Sequence, residues 1–198
     1  VFGKTDGSAV ELSDVDAGTG GFAINGVSLF DESGFSVSDA GDVNGDGLDD
    51  LIVGAKDDDP NGNDSGASFV VFGKTDGGAV ELSDVEAGTG GFVINGVSEY
   101  DGSGWSVSQA GDINGDGLDD LIVGSPDSDP NGVLSGASFV VFGKTDGVAV
   151  DLFEVSAGAG GFVINGVSLL DRSGLSVSDA GDVNGDGLDD LIVGAPYD

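Results

Sequence analysis

Apolar and small polar residues alternate through Gly34-Phe35-Ser36-Val37-Ser38, a spacing that puts Phe35 and Val37 on one face of a strand and the serines on the other. Asp50-Leu51-Ile52-Val53-Gly54-Ala55 is instead a continuous apolar run, too short for a helix, and fits a central strand buried on both faces. A turn cluster follows, Asp57-Asp58-Asp59-Pro60-Asn61-Gly62, in which Pro and Asn-Gly supply fixed and left-handed backbone angles. A third strand is predicted at Ala67-Ser68-Phe69-Val70-Val71-Phe72 and a fourth at Phe92-Val93-Ile94-Asn95-Gly96-Val97. Between these two, Ala79-Val80-Glu81-Leu82-Ser83-Asp84-Val85 spaces its apolar residues ambiguously, as a short helical turn or an irregular loop.

The pattern repeats. Val1-Phe2-Gly3-Lys4-Thr5-Asp6-Gly7 recurs from Val71 and again from Val141, a period of 70 residues. The chain divides into repeats 1–70, 71–140 and a shortened 141–198. A four-stranded antiparallel unit that cannot bury both faces alone must stack on its neighbours. The expected fold class is all-β, a β-propeller-type array of four-stranded antiparallel blades with an incomplete terminal blade. Three units are fewer than the four or so that usually close a ring.

Between the first two predicted strands lies Asp42-Val43-Asn44-Gly45-Asp46-Gly47-Leu48-Asp49-Asp50, which returns at 112–120 with Ile113 for valine and unchanged at 182–190. Oxygen-bearing side chains occupy positions 1, 3, 5 and 9, and glycine follows the third of them where the chain must turn sharply. Hard cations take such oxygen ligands, and calcium is the reading preferred here. An EF-hand is rejected because position 12 is Val53, Val123 or Val193 rather than a bidentate Glu, and no flanking helices are predicted. An acidic hairpin with no ion would leave its like charges opposed, which argues against that simpler reading.

Composition narrows the function. With 37 acidic and 5 basic residues the formal charge is -32, so nucleic acid phosphates and anionic lipid would be repelled. A hydrophobic share of 38% is too high for a disordered acidic tail, and 39 glycines with 4 prolines suit many short strands and tight turns. The chain has no Cys, so cysteine usage leaves the redox compartment open. No apolar run approaches the roughly 18 to 20 residues of a membrane span, and membrane insertion is not expected. No initiating Met or signal peptide is seen, which reads as a processed or excised piece.

Taken together, these residues resemble FG-GAP repeat proteins, the blades of the integrin α-subunit head. Gly34-Phe35-Ser36-Val37 stands at the family's strand opening, 42–50 at its calcium hairpin, Gly66-Ala67-Ser68-Phe69-Val70-Val71-Phe72-Gly73 at its next strand, and Gly194-Ala195-Pro196 at its Gly-Ala-Pro. The order Gly-Phe, Gly-Trp or Gly-Leu reverses the family's Phe-Gly, and Lys56 and Ser125 interrupt Gly-Ala-Pro in two copies. The resemblance implies a structural Ca²⁺, about one per repeat. Its ligands would be the side chains of Asp42, Asn44, Asp46 and Asp50 with the Leu48 carbonyl. The corresponding sets are Asp112, Asn114, Asp116, Asp120 and Leu118, and Asp182, Asn184, Asp186, Asp190 and Leu188.

Two function classes follow. In the first the chain is an extracellular or cell-surface module for adhesion or protein recognition, its partner a cell-surface protein or glycan. In the second it is a structural subunit whose blades stack with other copies of itself, or with further repeats of a longer chain, into a ring, filament or surface layer. Val1-Phe2-Gly3 would then complete a sheet begun by another copy, although excision from a longer array would leave the same ends. An enzyme is not expected. The chain lacks His and Cys, and its acids belong to every copy rather than marking one. Trp105 stands where Phe35 and Leu175 do, so a core packing role is expected for it, and Asp57-Asp58-Asp59 and Asp127-Ser128-Asp129 are expected to be solvated turns.

Overall fold

The computed structural model describes residues 1–197; the last residue of the third repeat, Asp198, lies outside the described residues. In chain order the elements are α1 (Leu12–Asp16), β1 (Ile24–Asn25), β2 (Ser36–Gly41), β3 (Asp50–Ala55), β4 (Ala67–Val71), β5 (Val80–Glu81), α2 (Leu82–Glu86) and β6 (Gly91–Asn95). They continue as β7 (Ser106–Gly111), β8 (Asp120–Ser125), β9 (Ala137–Val141), β10 (Val150–Asp151), α3 (Leu152–Ser156), β11 (Gly161–Asn165), β12 (Ser176–Gly181) and β13 (Asp190–Gly194). β2, β3, β4 and β6 form one antiparallel blade, β7, β8, β9 and β11 a second, and β12 with β13 the start of a third. The array is of the β-propeller type.

Neighbouring blades are joined by a parallel latch. The connection between β9 and β11 contributes β10, which pairs with the outer strand β6 of the blade before it through Val150↔Ile94 and Asp151↔Asn95. β5 does the same to β1. Behind each of these latches the chain turns into a five-residue helix, which resolves the ambiguity at 79–85. Leu82 and Val85, and likewise Leu152 and Val155, sit three apart on one helical face and are fully or almost fully buried.

The central strands β3 and β8 are buried almost throughout, because each faces a different neighbour with each side. Ile52, Val70, Phe92 and Ile94 of the first blade pack with Leu121, Val123, Phe139, Val141 and the helix residues Leu152 and Val155 of the second. On its other face the first blade offers Val53, Phe69, Val71 and Val93 to Leu82 and Val85. Burying one such side chain is worth about 1.5–3 kcal/mol, so the stacking faces are the principal source of stability.

Three strands differ from expectation at their ends, the third by one residue, since it stops at Val71 rather than Phe72. The first strand runs from Ser36 to Gly41, not from 34 to 38, and carries a register shift between Asp39 and Gly41 as it enters the acidic loop. The fourth ends at Asn95, because Gly96 sits against the Ser65 and Gly66 carbonyls, where no side chain fits. Phe35 therefore precedes the strand, 47% exposed, and Val37 is 68% exposed.

Candidate metal loops

Each acidic loop hangs between two hydrogen-bonded strands, β2 and β3, β7 and β8, or β12 and β13, so its ends are fixed by the sheet. Inside the first loop Gly45 and Gly47 adopt left-handed angles, with φ of 77° and 89°. That curl turns consecutive N–H groups inward. The Asp42 carboxylate accepts from Gly45, Asp46 and Gly47 at 2.8, 3.0 and 2.9 Å. Asn44 Oδ1 accepts from the Asp46 N–H at 2.8 Å, and Asp46 Oδ1 from the Leu48 N–H at 2.9 Å. The second loop repeats these bonds through Asp112, Asn114, Asp116 and Leu118. In the third, Asp182 gathers Gly185, Asp186 and Gly187, and the Leu188 N–H donates to Asp186.

The ninth residue is set apart by burial. Asp50 is fully buried; its Oδ2 accepts from Val43 at 3.1 Å and its Oδ1 from Gly73, beyond the end of β4, at 2.7 Å. Asn44 Nδ2 approaches Oδ1 at 3.4 Å. Burial pushes the Asp50 carboxyl up to about 6 against the pull of these N–H donors, and the nearby charges of Asp46 and Asp42 raise it further. Asp120, also fully buried, is pushed up to about 6 by burial, with Asp116 adding to the effect. It accepts from Ile113, Asn114 and Gly143. Asp190 accepts from Val183 and Asn184. At the exposed first position of the third loop, the Gly187, Gly185 and Asp186 N–H groups hold Asp182 below the usual carboxylate range.

Among the described residues no group of three or more acidic side chains stands close enough to hold a metal ion between carboxylates. The side chains instead turn onto the loop's own N–H groups. The donor chemistry nonetheless fits a hard divalent cation, since every candidate ligand atom is oxygen. Like-charge crowding around Asp50 is also what a bound cation would relieve.

One residue of the loop fell outside the ligand reading. Asp119, at position eight of the second loop, accepts the Asp42 N–H of the first on Oδ2 at 2.7 Å, and Asp189 does the same for Asp112 at 3.3 Å. An acid recurring at position eight in all three copies, with no ligand role, was the signal in the sequence.

Trp105 departs from the expected core role. It is only partly buried and packs edge-on against Phe35, with ring centroids 5.2 Å apart, because both residues precede their strands at the rim of adjacent blades. Lys56 lies over both rings and pairs with Glu32 at 2.8 Å and Asp57 at 2.7 Å. Nor is the Asp57-Asp58-Asp59 turn fully solvated, since burial pushes Asp58 up to about 6. In its counterpart, Ser128 is buried and Asp127 pairs with Arg172 at 3.3 Å.

Comparison with known proteins gives a consistent picture. The FG-GAP repeat family matches residues 35–71, 103–142 and 175–198. Integrin alpha-5 of Xenopus laevis is 32% identical over 169 residues, covering 82% of this chain and 14% of that protein. Integrin alpha-PS2 of Drosophila melanogaster is 37% identical over 109 residues, covering 52% of this chain and 7% of that protein. A phosphatidylinositol-glycan-specific phospholipase D of Dictyostelium discoideum is 27% identical over 192 residues, 92% of this chain and 20% of that protein. The chain thus spans at most a fifth of the length of these three relatives.

Proposed function

Because this chain belongs to the FG-GAP repeat family, we infer that it is a calcium-stabilised module for adhesion or protein recognition, working outside the cell or at its surface. The observation that carries this reading is the loop itself: three copies with the same oxygen donors, two of them closed on a fully buried carboxylate crowded by like charge. One Ca²⁺ per repeat would be held by Asp42, Asn44, Asp46, Asp50 and the Leu48 carbonyl, and by their counterparts at 112–120 and 182–190. The ion would supply positive charge and closure of the hairpin. The protein's own residues do the rest, the glycines by curling the loop and the buried aspartate by tying it to the segment after the third strand.

An exterior location is supported by the formal charge of -32 and by the weak affinity, roughly 10⁻⁴ to 10⁻³ M, of extracellular calcium modules. The integrin relatives support recognition of a cell-surface protein or glycan. No helix among the described residues is long and apolar enough to cross a membrane. A non-catalytic role is supported by the recurrence of the acids in every copy and by the small share of the phospholipase relative that is matched. The test is thermal unfolding with calcium and with a chelator: a lower melting temperature in the chelator is expected, and identical melting would refute the calcium role.

Stacking between copies has its own support. Ile192 is 59% exposed where Ile52 and Ile122 are fully buried, and Val183 is 73% exposed where Val43 is fully buried. A further blade, from the same polypeptide or a second copy, would cover them. Light scattering that finds only monomers at every concentration would exclude the second-copy form.

A further inference from the structure

Position eight of each loop lies between two residues assigned to the cation, Leu118 and Asp120 around Asp119, Leu188 and Asp190 around Asp189. The side chain at this position serves a different loop. Asp119 Oδ2 accepts the Asp42 N–H at 2.7 Å, and the Asp119 N–H in turn donates to the Asp42 carbonyl at 3.3 Å. Asp42 is the residue whose carboxylate gathers three N–H groups of the first loop. Room for the crossing comes from Gly41: a Cβ there would stand 2.7 Å from the Asp119 Cβ, too close to exist, and φ is 69°. Gly111 provides the same room for Asp189, again with 2.7 Å to its Cβ and with φ of 66°.

Resting on the reading of the loops as calcium sites, we propose that Asp119 and Asp189 are positioning residues that make each loop's cation affinity depend on the next loop along the chain. Closing the second loop around its ion fixes Leu118 and Asp120, and with them the Asp119 carboxylate that orients Asp42. The dependence is reciprocal, so an ion in the first loop tightens the second as well. Asp49, the position-eight residue of the first loop, makes no such bond among the described residues and is exposed.

The backbone amide signals of Gly47, Gly117 and Gly187 report the three loops separately during a calcium titration of the whole chain. In Asp119→Ala the Gly47 midpoint is expected at about tenfold higher calcium, a typical coupling between linked sites. Asp119→Asn, which keeps an oxygen acceptor, restores most of the affinity. Asp189→Ala acts in the same way on Gly117, so the test stands if Asp119→Ala does not fold. The proposal is overturned if neither alanine variant moves its target, or if Asp119→Asn moves Gly47 as far as Asp119→Ala. If none of the three glycines of the unmodified chain responds to calcium, the calcium reading itself falls and the coupling with it.

Discussion

The Lys56 ammonium lies 5.4 Å from the Trp105 ring centroid while the same group lies 4.8 Å from that of Phe35, so one cation joins the rims of two adjacent blades. Glu32 and Asp57 hold it there, and although burial works to lower its pKa, these two carboxylates raise it on balance. Lys56→Ala removes this cation from between the rings, each cation–π contact being worth about 0.5–1 kcal/mol. The variant is expected to lose about 1–2 kcal/mol of stability. Trp105 is the only tryptophan, so its emission should shift in the folded state. Urea unfolding followed by fluorescence checks both.

Packing between blades also fixes Gly124 as a glycine. A Cβ on Gly124 would run into the Gly174 carbonyl of the next blade, standing 3.1 Å from its carbon and closer still to its oxygen. A backbone atom cannot yield as a side chain does. Gly124→Ala is expected to cost about 3 kcal/mol through forced separation of the blades. Gly158, with φ of 91° and no neighbouring atom within 4 Å of the place a methyl group would take, provides the comparison. Gly158→Ala should cost about 1–2 kcal/mol from backbone strain alone. Chemical denaturation of the two variants ranks them.

Asp58 gives the protein a pH dependence independent of the loops. Burial raises its carboxyl from 3.8 to about 6, with Asp31, Glu86 and Asp59 adding repulsion and the Asp59 N–H opposing it. The folded state thus binds this proton more tightly than the unfolded chain does. The stabilising contribution is complete below pH 3.8 and is lost as pH rises through about 6. Asp58→Asn should therefore raise stability at pH 7 and flatten the slope across that window. Melting temperatures measured in chelator across the window, in both proteins, show whether it does.

Calcium removal and loop mutation should converge. If free Ca²⁺ stands at about a hundred times the dissociation constant, each filled loop adds about 2.7 kcal/mol. Asp46→Ala, Asp116→Ala and Asp186→Ala should each lower the melting temperature in calcium and leave it nearly unchanged in chelator. Differential scanning calorimetry under both conditions separates the two effects, and a variant that melts like the unmodified chain in calcium removes that loop from the ligand assignment.

The central strands were legible because their apolar runs are buried from both sides, and the acidic loops because oxygen donors at alternate positions with glycine have few other uses. What the chain pattern could not show was contact across the 70-residue repeat. Asp119 meets Asp42 and Trp105 meets Phe35 only after the blades stack, so nothing near either residue in sequence marks the pairing. The first strand's start was misplaced for a related reason. Phe35 has the residue type of a strand's apolar face, but it packs sideways on the neighbouring blade's Trp105 instead of inward.

The parallel latch of β10 on β6 bears on aggregation. Gly91–Asn95 reads Gly-Phe-Val-Ile-Asn, a short β-prone segment at the outer border of its blade, where free N–H and C=O groups would template another chain. Val150 and Asp151 occupy the Ile94 and Asn95 end of that border, and Asp151 places a charge beside it. Stacking a blade therefore also blocks strand addition at the Ile94 and Asn95 end of the one before it, and a ligand that binds this molecule by extending a sheet would not find β6 free along its whole length.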